Sequence, residues 1–223
     1  HALVRRQRQM CIRDRFSCCS LALEKSPWLI EEILNRKHEI SAHGVKWISH
    51  AYFSREEEKK IINECYSSIL KLSGRPPLGW HTKSSTSPFT RDLLIEHGGF
   101  MYDSNAYNDD IPYVIRQNDR KFVIIPYSFD TNDMRFDGNN GFVQGDDFNT
   151  YCKESFNQLL SETDDGSLRM MSIGLHPRII GRPGRIKGLE DFIKHIKTYQ
   201  NVWIPTRIDI AKHCLEKDLF NFF

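Results

Sequence analysis

Thirteen residues, His38 to His50 (HEISAHGVKWISH), bring three histidines and a glutamate close together. Whether they can share a metal depends on their spacing. A zincin helix carries two histidines one turn apart, with a glutamate beside the first. His38 and His43 are five positions apart, which turns a helix by about 500° and separates the rings. On a strand, an odd separation sends them to opposite faces. One of the pair can point into a site, but not both. His38 and Glu39 read as polar groups at a strand edge, and His50, His97, His195 and His213 as helix-associated histidines without a chemical role.

The second chemical stretch is SIGLHPRIIGRPGR. His176 ends an apolar run and opens an irregular loop that holds Arg178, Arg182 and Arg185. A histidine there can shuttle protons near neutral pH. Arginines beside it can hold a developing oxyanion or an acidic substrate. YDSNAYNDDIPY and SFDTNDMRFD are dense in Asp and Asn. Such clusters fix polar substrates, bind cations or form Asx turns, and these two lack the spacing of an EF-hand loop.

These groups need elements to carry them. The spacing predicts a helix from Pro27 to Asn35 and a strand in HEISAHG ending at Gly44. Ser54 and Glu57 make a capping box for a long helix. Its apolar set Ile61, Ile62, Cys65, Tyr66 and Ile69 follows the helical period up to Gly74. PPLGWHT, FMYDS, KFVIIPYS, RMMSIGLH and NVWIPTR read as strands. Pro88–Glu96, Phe148–Leu160, Ile186–Lys197 and a short piece from Asp209 read as helices. Alternating strands and helices imply parallel pairing through right-handed crossovers, in a doubly wound sheet or a barrel. There is neither a Gly-x-Gly-x-x-Gly nor a P-loop. His43, His81, Asp103, Asp130, His176 and Arg207 fall at strand C-terminal ends, where α/β barrels place their chemistry.

Length and composition bound the rest. At 223 residues and 39% hydrophobic, the chain suits one domain. A net charge of +2 does not point to nucleic acid or an acidic membrane. No apolar run is long enough to span a bilayer, and no secretory signal is visible. Six scattered cysteines without a C-x-x-C pair suit a reduced, cytoplasmic protein. The first sixteen residues, HALVRRQRQMCIRDRF, stand apart. With their five Arg and one Asp set aside, 26 of the 31 basic and 28 of the 29 acidic residues remain, a net of −2. The stretch reads as adaptor-like, non-native sequence, the alternative being a basic tail for an anionic partner. The expected division is therefore 1–20 outside the fold and 21–223 as the catalytic domain.

HEISAHGVKW, GRPPLGWHT, GGFMYDSNAYNDDIPY, IPYSFDTNDMRF, SIGLHPRIIGRPGR and VWIPTRIDIAKH occur in this order. Together they resemble the successive motifs of the polysaccharide deacetylase (NodB-type) superfamily, and in detail its allantoinase-like branch, from about Leu21 to His213. The resemblance implies a deformed (β/α) barrel and hydrolysis of a non-peptide carbon–nitrogen bond. In most of the superfamily an Asp and the two His of H-x-x-x-H hold a divalent metal, a further Asp acts as base, and a late His acts as acid. His43 falls at the first metal histidine, Trp47 at the second, and His176 at the late acid. Trp47 matches the allantoinase-like branch, which works without a metal cofactor. If a metal such as zinc is bound, as the deacetylase reading requires, His43 is its ligand. The acidic first motif is expected before Leu21, which makes the chain an N-terminally truncated piece whose barrel lacks its first strand. Catalysis falls to His176 and His43. Asn132, Asp133 and Arg135 lead the substrate-side groups, with Trp47, Trp80, Asp103, Asp110, Arg178, Arg182 and Arg207 behind them. The expected substrate is a small cyclic ureide such as allantoin, or alternatively an N-acetylated glycan. An inactive binding protein is a third reading. A homo-oligomer is expected, with no nucleic acid and no membrane.

Overall fold

From residue 14 onward strand and helix alternate, and the computed structural model describes residues 14–117, 119–138 and 141–217. The chain runs through β1 (Arg15–Cys18), α1 (Ser20–Lys25), α2 (Trp28–Asn35), β2 (Glu39–Ala42), α3 (Arg55–Ser73) and β3 (Gly79–Trp80). Next come α4 (Thr90–His97), β4 (Tyr102–Asp103) and the hairpin β5 (Tyr113–Gln117) and β6 (Arg120–Ile124). A 3-10 turn (Asp133–Asp137), α5 (Gly145–Ser161), α6 (Pro177–Ile180), α7 (Pro183–Ile196) and α8 (Arg207–Lys217) follow. Two compact units result, where one domain was expected. A sheet unit takes 14–106, 112–125 and 205–217, and a helical unit takes 107–111 and 126–204.

The sheet unit is a mixed α/β fold with a six-stranded sheet in the order β1-β2-β3-β4-β6-β5. The first four neighbouring pairs are parallel, as the alternation of elements predicts. β5 and β6 pair antiparallel, a hairpin the sequence reading missed. Its turn passes through Asp119 at φ 58°, a left-handed conformation that Asp tolerates better than most residues. Long α3 has the predicted ends. Ser54 Oγ accepts from the Glu57 N–H, the Glu57 carboxylate accepts from the Ser54 N–H, and Gly74 closes the helix at φ 70°. Ile62, Cys65 and Ile69 lie on its buried stripe, in one core with Leu23, Ile33, Trp80, Leu94, Phe122 and Ile124. Each large apolar side chain sealed there contributes about 1.5–3 kcal/mol relative to exposure.

The helical unit has its own core. Phe148, Cys152 and Phe156 of α5 meet Ile186, Leu189, Phe192 and Ile193 of α7, with Phe136 and Phe142 beside them. Both helices show the predicted period.

Three expectations are corrected. The boundary at residue 20 falls too late: Arg15 to Cys18 pair with Glu39 to Ala42 as β1, and Ser20 begins α1. Residues 1–13, most of the adaptor-like stretch, lie outside the described residues. RMMSIGLH makes only an isolated parallel bridge between Asn132 and Gly174, because its partner segment turns into a 3-10 helix at Asp133 and the ladder has nowhere to continue. NVWIPTR forms no strand among the described residues, and its Pro205 has no N–H to donate to a ladder.

Candidate active site

His176 is held by the residue that its short bridge brings alongside. Asp133 N–H donates to the Gly174 carbonyl at 2.9 Å, and Gly174 N–H donates to the Thr131 carbonyl at 3.2 Å. This places the Asp133 carboxylate under the start of α6. Oδ2 accepts from the His176 and Ile180 backbone N–H groups at 2.6 and 3.2 Å, and Oδ1 accepts a hydrogen bond from His176 Nδ1 at 2.6 Å. Asp133 is fully buried, while the imidazole keeps 22% of its surface. As the acceptor in the bond from Nδ1, the Asp133 oxygen selects the imidazole tautomer with its proton on Nδ1. Nε2 has no hydrogen-bond partner among the described residues, so it is the atom that can exchange a proton with a substrate. Pro177 at the first helical position suits this geometry, since it removes an N–H that would need a partner.

Asp133 is thus buried with both oxygens engaged by His176 and Ile180, rather than open as the substrate contact expected of it. Asn132 is also structural: only 2% exposed, it accepts from Met134 N–H and donates Nδ2 to the Tyr127 hydroxyl at 3.0 Å. The Arg135 guanidinium is committed too. It donates to the Asp130 carbonyl and lies 4.5 and 4.4 Å from the Phe142 and Tyr151 ring centroids. Arg178 of α6 and Arg182 at the start of α7 are exposed. Arg178 reaches Met134 Sδ at 3.9 Å, and the Arg182 side chain makes no hydrogen bond or ion pair among the described residues. Asp110 is exposed at the surface of the same unit. Partial desolvation and the neighbouring carboxylates Asp109, Glu162 and Asp130 push its pKa up, against the pull of Arg169.

In the sheet unit, His43 follows β2 and precedes Gly44, whose φ of 81° lets the chain turn away from the strand. His43 N–H donates to the Cys18 carbonyl at 3.0 Å. Its Nδ1 donates to the His81 carbonyl, and the two imidazoles lie 5.2 Å apart. Trp47 is 45% exposed, with Lys83 Nζ 5.1 Å from its ring centroid. Arg207 donates to Ser104 Oγ at 3.0 Å and to the Ile125 carbonyl at 2.9 Å, which ties α8 to the ends of β4 and β6. Trp80 and Asp103 have no solvent-accessible surface. Trp80 donates to Thr82 Oγ1 inside the core, and Asp103 is ion-paired to Arg91 at 2.9 Å. Neither offers a face to a ligand, which corrects their placement on the substrate side.

Two other readings change. Glu39 is no strand-edge group: it is buried, accepting from the Tyr102 hydroxyl and the Ile208 N–H. Burial pushes its pKa up, although Tyr102, the Ile208 N–H, Arg15 and Arg207 pull the other way. His38 is buried as well, its Nδ1 accepting from Asp14 N–H at 3.0 Å. His50 shows no chemical role, but it belongs to a polar cluster that the sequence did not reveal. Glu58 accepts from His50 Nδ1 at 2.8 Å, from Thr90 Oγ1 at 2.6 Å and from Ser87 Oγ.

Metal binding was tested against the donors present. Among the described residues, no three His, Cys, Asp or Glu side chains converge as a metal site requires. His43 has one ring nitrogen engaged by a backbone carbonyl, and the position four residues on carries an indole. This donor set, among the described residues, does not fit a closed divalent site.

No protein-family model matches the chain. A Schizosaccharomyces pombe protein named as a polysaccharide deacetylase is 33% identical over 215 residues, covering 88% of this chain and 67% of the relative. The crystal structure of a Pseudomonas aeruginosa PAO1 protein assigned as a polysaccharide deacetylase superposes with a TM-score of 0.92 at 35% identity, covering 98% of this chain and 73% of that one. PuuE allantoinase superposes with a TM-score of 0.91 at 38% identity, covering 96% and 70%. The chain belongs to the polysaccharide deacetylase (NodB-type) family, a family of hydrolases.

Proposed function

We propose that the chain is the catalytic part of an allantoinase-like cyclic amidohydrolase. The observation that carries this reading is the Asp133–His176 pair, with a buried carboxylate on Nδ1 and a half-open imidazole beyond it. Water adds to the ring amide carbonyl as its proton passes to His176 Nε2, the carbon–nitrogen bond breaks, and Nε2–H then gives that proton to the leaving nitrogen. Arg182, exposed at the start of α7, is a cation of the same unit placed to hold a ureide oxygen, with Arg178 beside it on α6. His43 is the second catalytic imidazole of the reading. Trp47 at the place of the second metal histidine, and the likeness to PuuE allantoinase, support a ring amide over an acetylated sugar.

The second reading, a metal-dependent N-deacetylase of glycans, is favoured by the name of the Schizosaccharomyces pombe relative. One experiment separates them. The protein expressed from its full reading frame is incubated with allantoin, and separately with chitin and peptidoglycan oligomers, before and after exhaustive chelation. Allantoate release that survives chelation is expected. Acetate release from the oligomers, abolished by chelation, would overturn the proposal in favour of the deacetylase.

A further inference from the structure

Aromatic rings left in water are costly, and the helical unit keeps two of them together against a third that is half-buried. Phe129 is 57% and Tyr107 40% exposed, yet they come from segments 22 positions apart in the chain. Their rings are stacked, with centroids 4.5 Å apart and planes inclined by 4°. Tyr127 stands edge-on to both, at 5.9 Å from Tyr107 and 6.3 Å from Phe129, with planes near perpendicular. Tyr127 is itself anchored: its hydroxyl accepts from Asn132 Nδ2 at 3.0 Å. A Cβ on Gly174 would collide with that hydroxyl, so the glycine is what admits the ring at this place. Asn132 and Gly174 are the two residues of the parallel bridge that sets Asp133 under His176. The aromatic group and the catalytic imidazole therefore hang on one short piece of backbone.

We infer that the Tyr107–Phe129 stack, buttressed by Tyr127, is the ring-binding platform of the His176 site, and that it takes the flat face of a planar, N–H-rich ring of the cyclic ureide class. This deepens the proposed function and rests on it for the link to catalysis. A stack of two rings can be continued by a third flat ring on an open face, and Phe129, more than half exposed, provides that face. A planar ureide presents N–H donors around its rim. Asp130 follows Phe129 in the chain, and Asp109 and Asp110 follow Tyr107 within three positions. These carboxylates are acceptors that match such a rim.

The test uses hydantoin, a cyclic ureide without allantoin's side chain, as a binding probe alongside allantoin as substrate. Saturation-transfer NMR from the protein's aromatic protons is read for wild type, Phe129→Ala, Phe129→Trp and Tyr52→Ala. Tyr52 is 99% exposed and lies outside all of this machinery. Hydantoin binding to wild type and to Y52A, retained in F129W and weakened about tenfold in F129A, is expected. With allantoin, F129A raises KM by a similar factor and leaves kcat within about twofold. Unaltered hydantoin binding by F129A overturns the platform, as does absence of binding to wild type. Preferential transfer from the same rings to N-acetylglucosamine overturns the ureide class. Hydantoin binding that depends on Phe129, without any allantoin hydrolysis, leaves the platform standing and rejects the reaction instead.

Discussion

At the scale of single residues, two carboxylates invite direct tests. Asp133 touches no solvent, but it spends both oxygens on His176 and the turn behind it. Asp133→Asn removes the acceptor that selects the Nδ1–H tautomer, so turnover of allantoin should fall by about 10²-fold or more, in the range that acid–base groups supply. Because the pair acts as one device, Asp133→Asn combined with His176→Gln should be scarcely slower than His176→Gln alone. Losses that multiply in steady-state kinetics would contradict a positioning role. Glu39 is tested by pH. Its carboxyl is held above the usual range by burial, so its contribution to stability is complete below the unfolded carboxylate pKa, about 4.3. That contribution declines as pH rises through the folded value. Glu39→Gln cannot ionise, and it loses one acceptor towards the Ile208 N–H. Thermal melts should show the variant less stable than wild type at a pH of about 4, with the gap narrowing towards about 8.

At the scale of elements, the Glu58 cluster locks α3 to the approach of α4 and to the segment ending at His50. Burial opposes ionisation of Glu58, but hydrogen bonds from His50, Ser87 and Thr90 outweigh it and hold the carboxyl below its ordinary range. Its stabilisation is therefore present above the unfolded carboxylate pKa and is lost as pH falls through the folded value. Glu58→Ala strands three buried donors, and it should lower the unfolding free energy in urea by about 3 kcal/mol at neutral pH. The penalty should shrink in acid. The capping box on the same helix was visible from Ser54 and Glu57 because both partners lie within one turn. Glu58 gave no such sign, since its partners are 8, 29 and 32 positions away.

For the whole molecule, two separate cores replace the one that length suggested. Leu94 is sealed in the first and Phe148 in the second. Leu94→Ala should cost about 2–5 kcal/mol and Phe148→Ala about 3–5 kcal/mol, each through its own cavity. The residues share no cluster, so denaturation of the double variant should show costs that sum within about 0.5 kcal/mol. A large coupling term would mean that the units do not unfold as the packing implies.

The amino-acid sequence alone determined what local periodicity and turn chemistry encode. The helices with capped ends and the β2, β3 and β4 runs are of this kind, because each signal is complete within about one or two turns of chain. The hairpin strand β5, the strand β1, the burial of Glu39, Trp80 and Asp103, and the recruitment of Asp133 to His176 across 43 positions were decided only by tertiary structure. Whether a polar side chain faces substrate or supports its neighbour depends on what the fold brings against it, and that partner is set by packing rather than by adjacency in the chain.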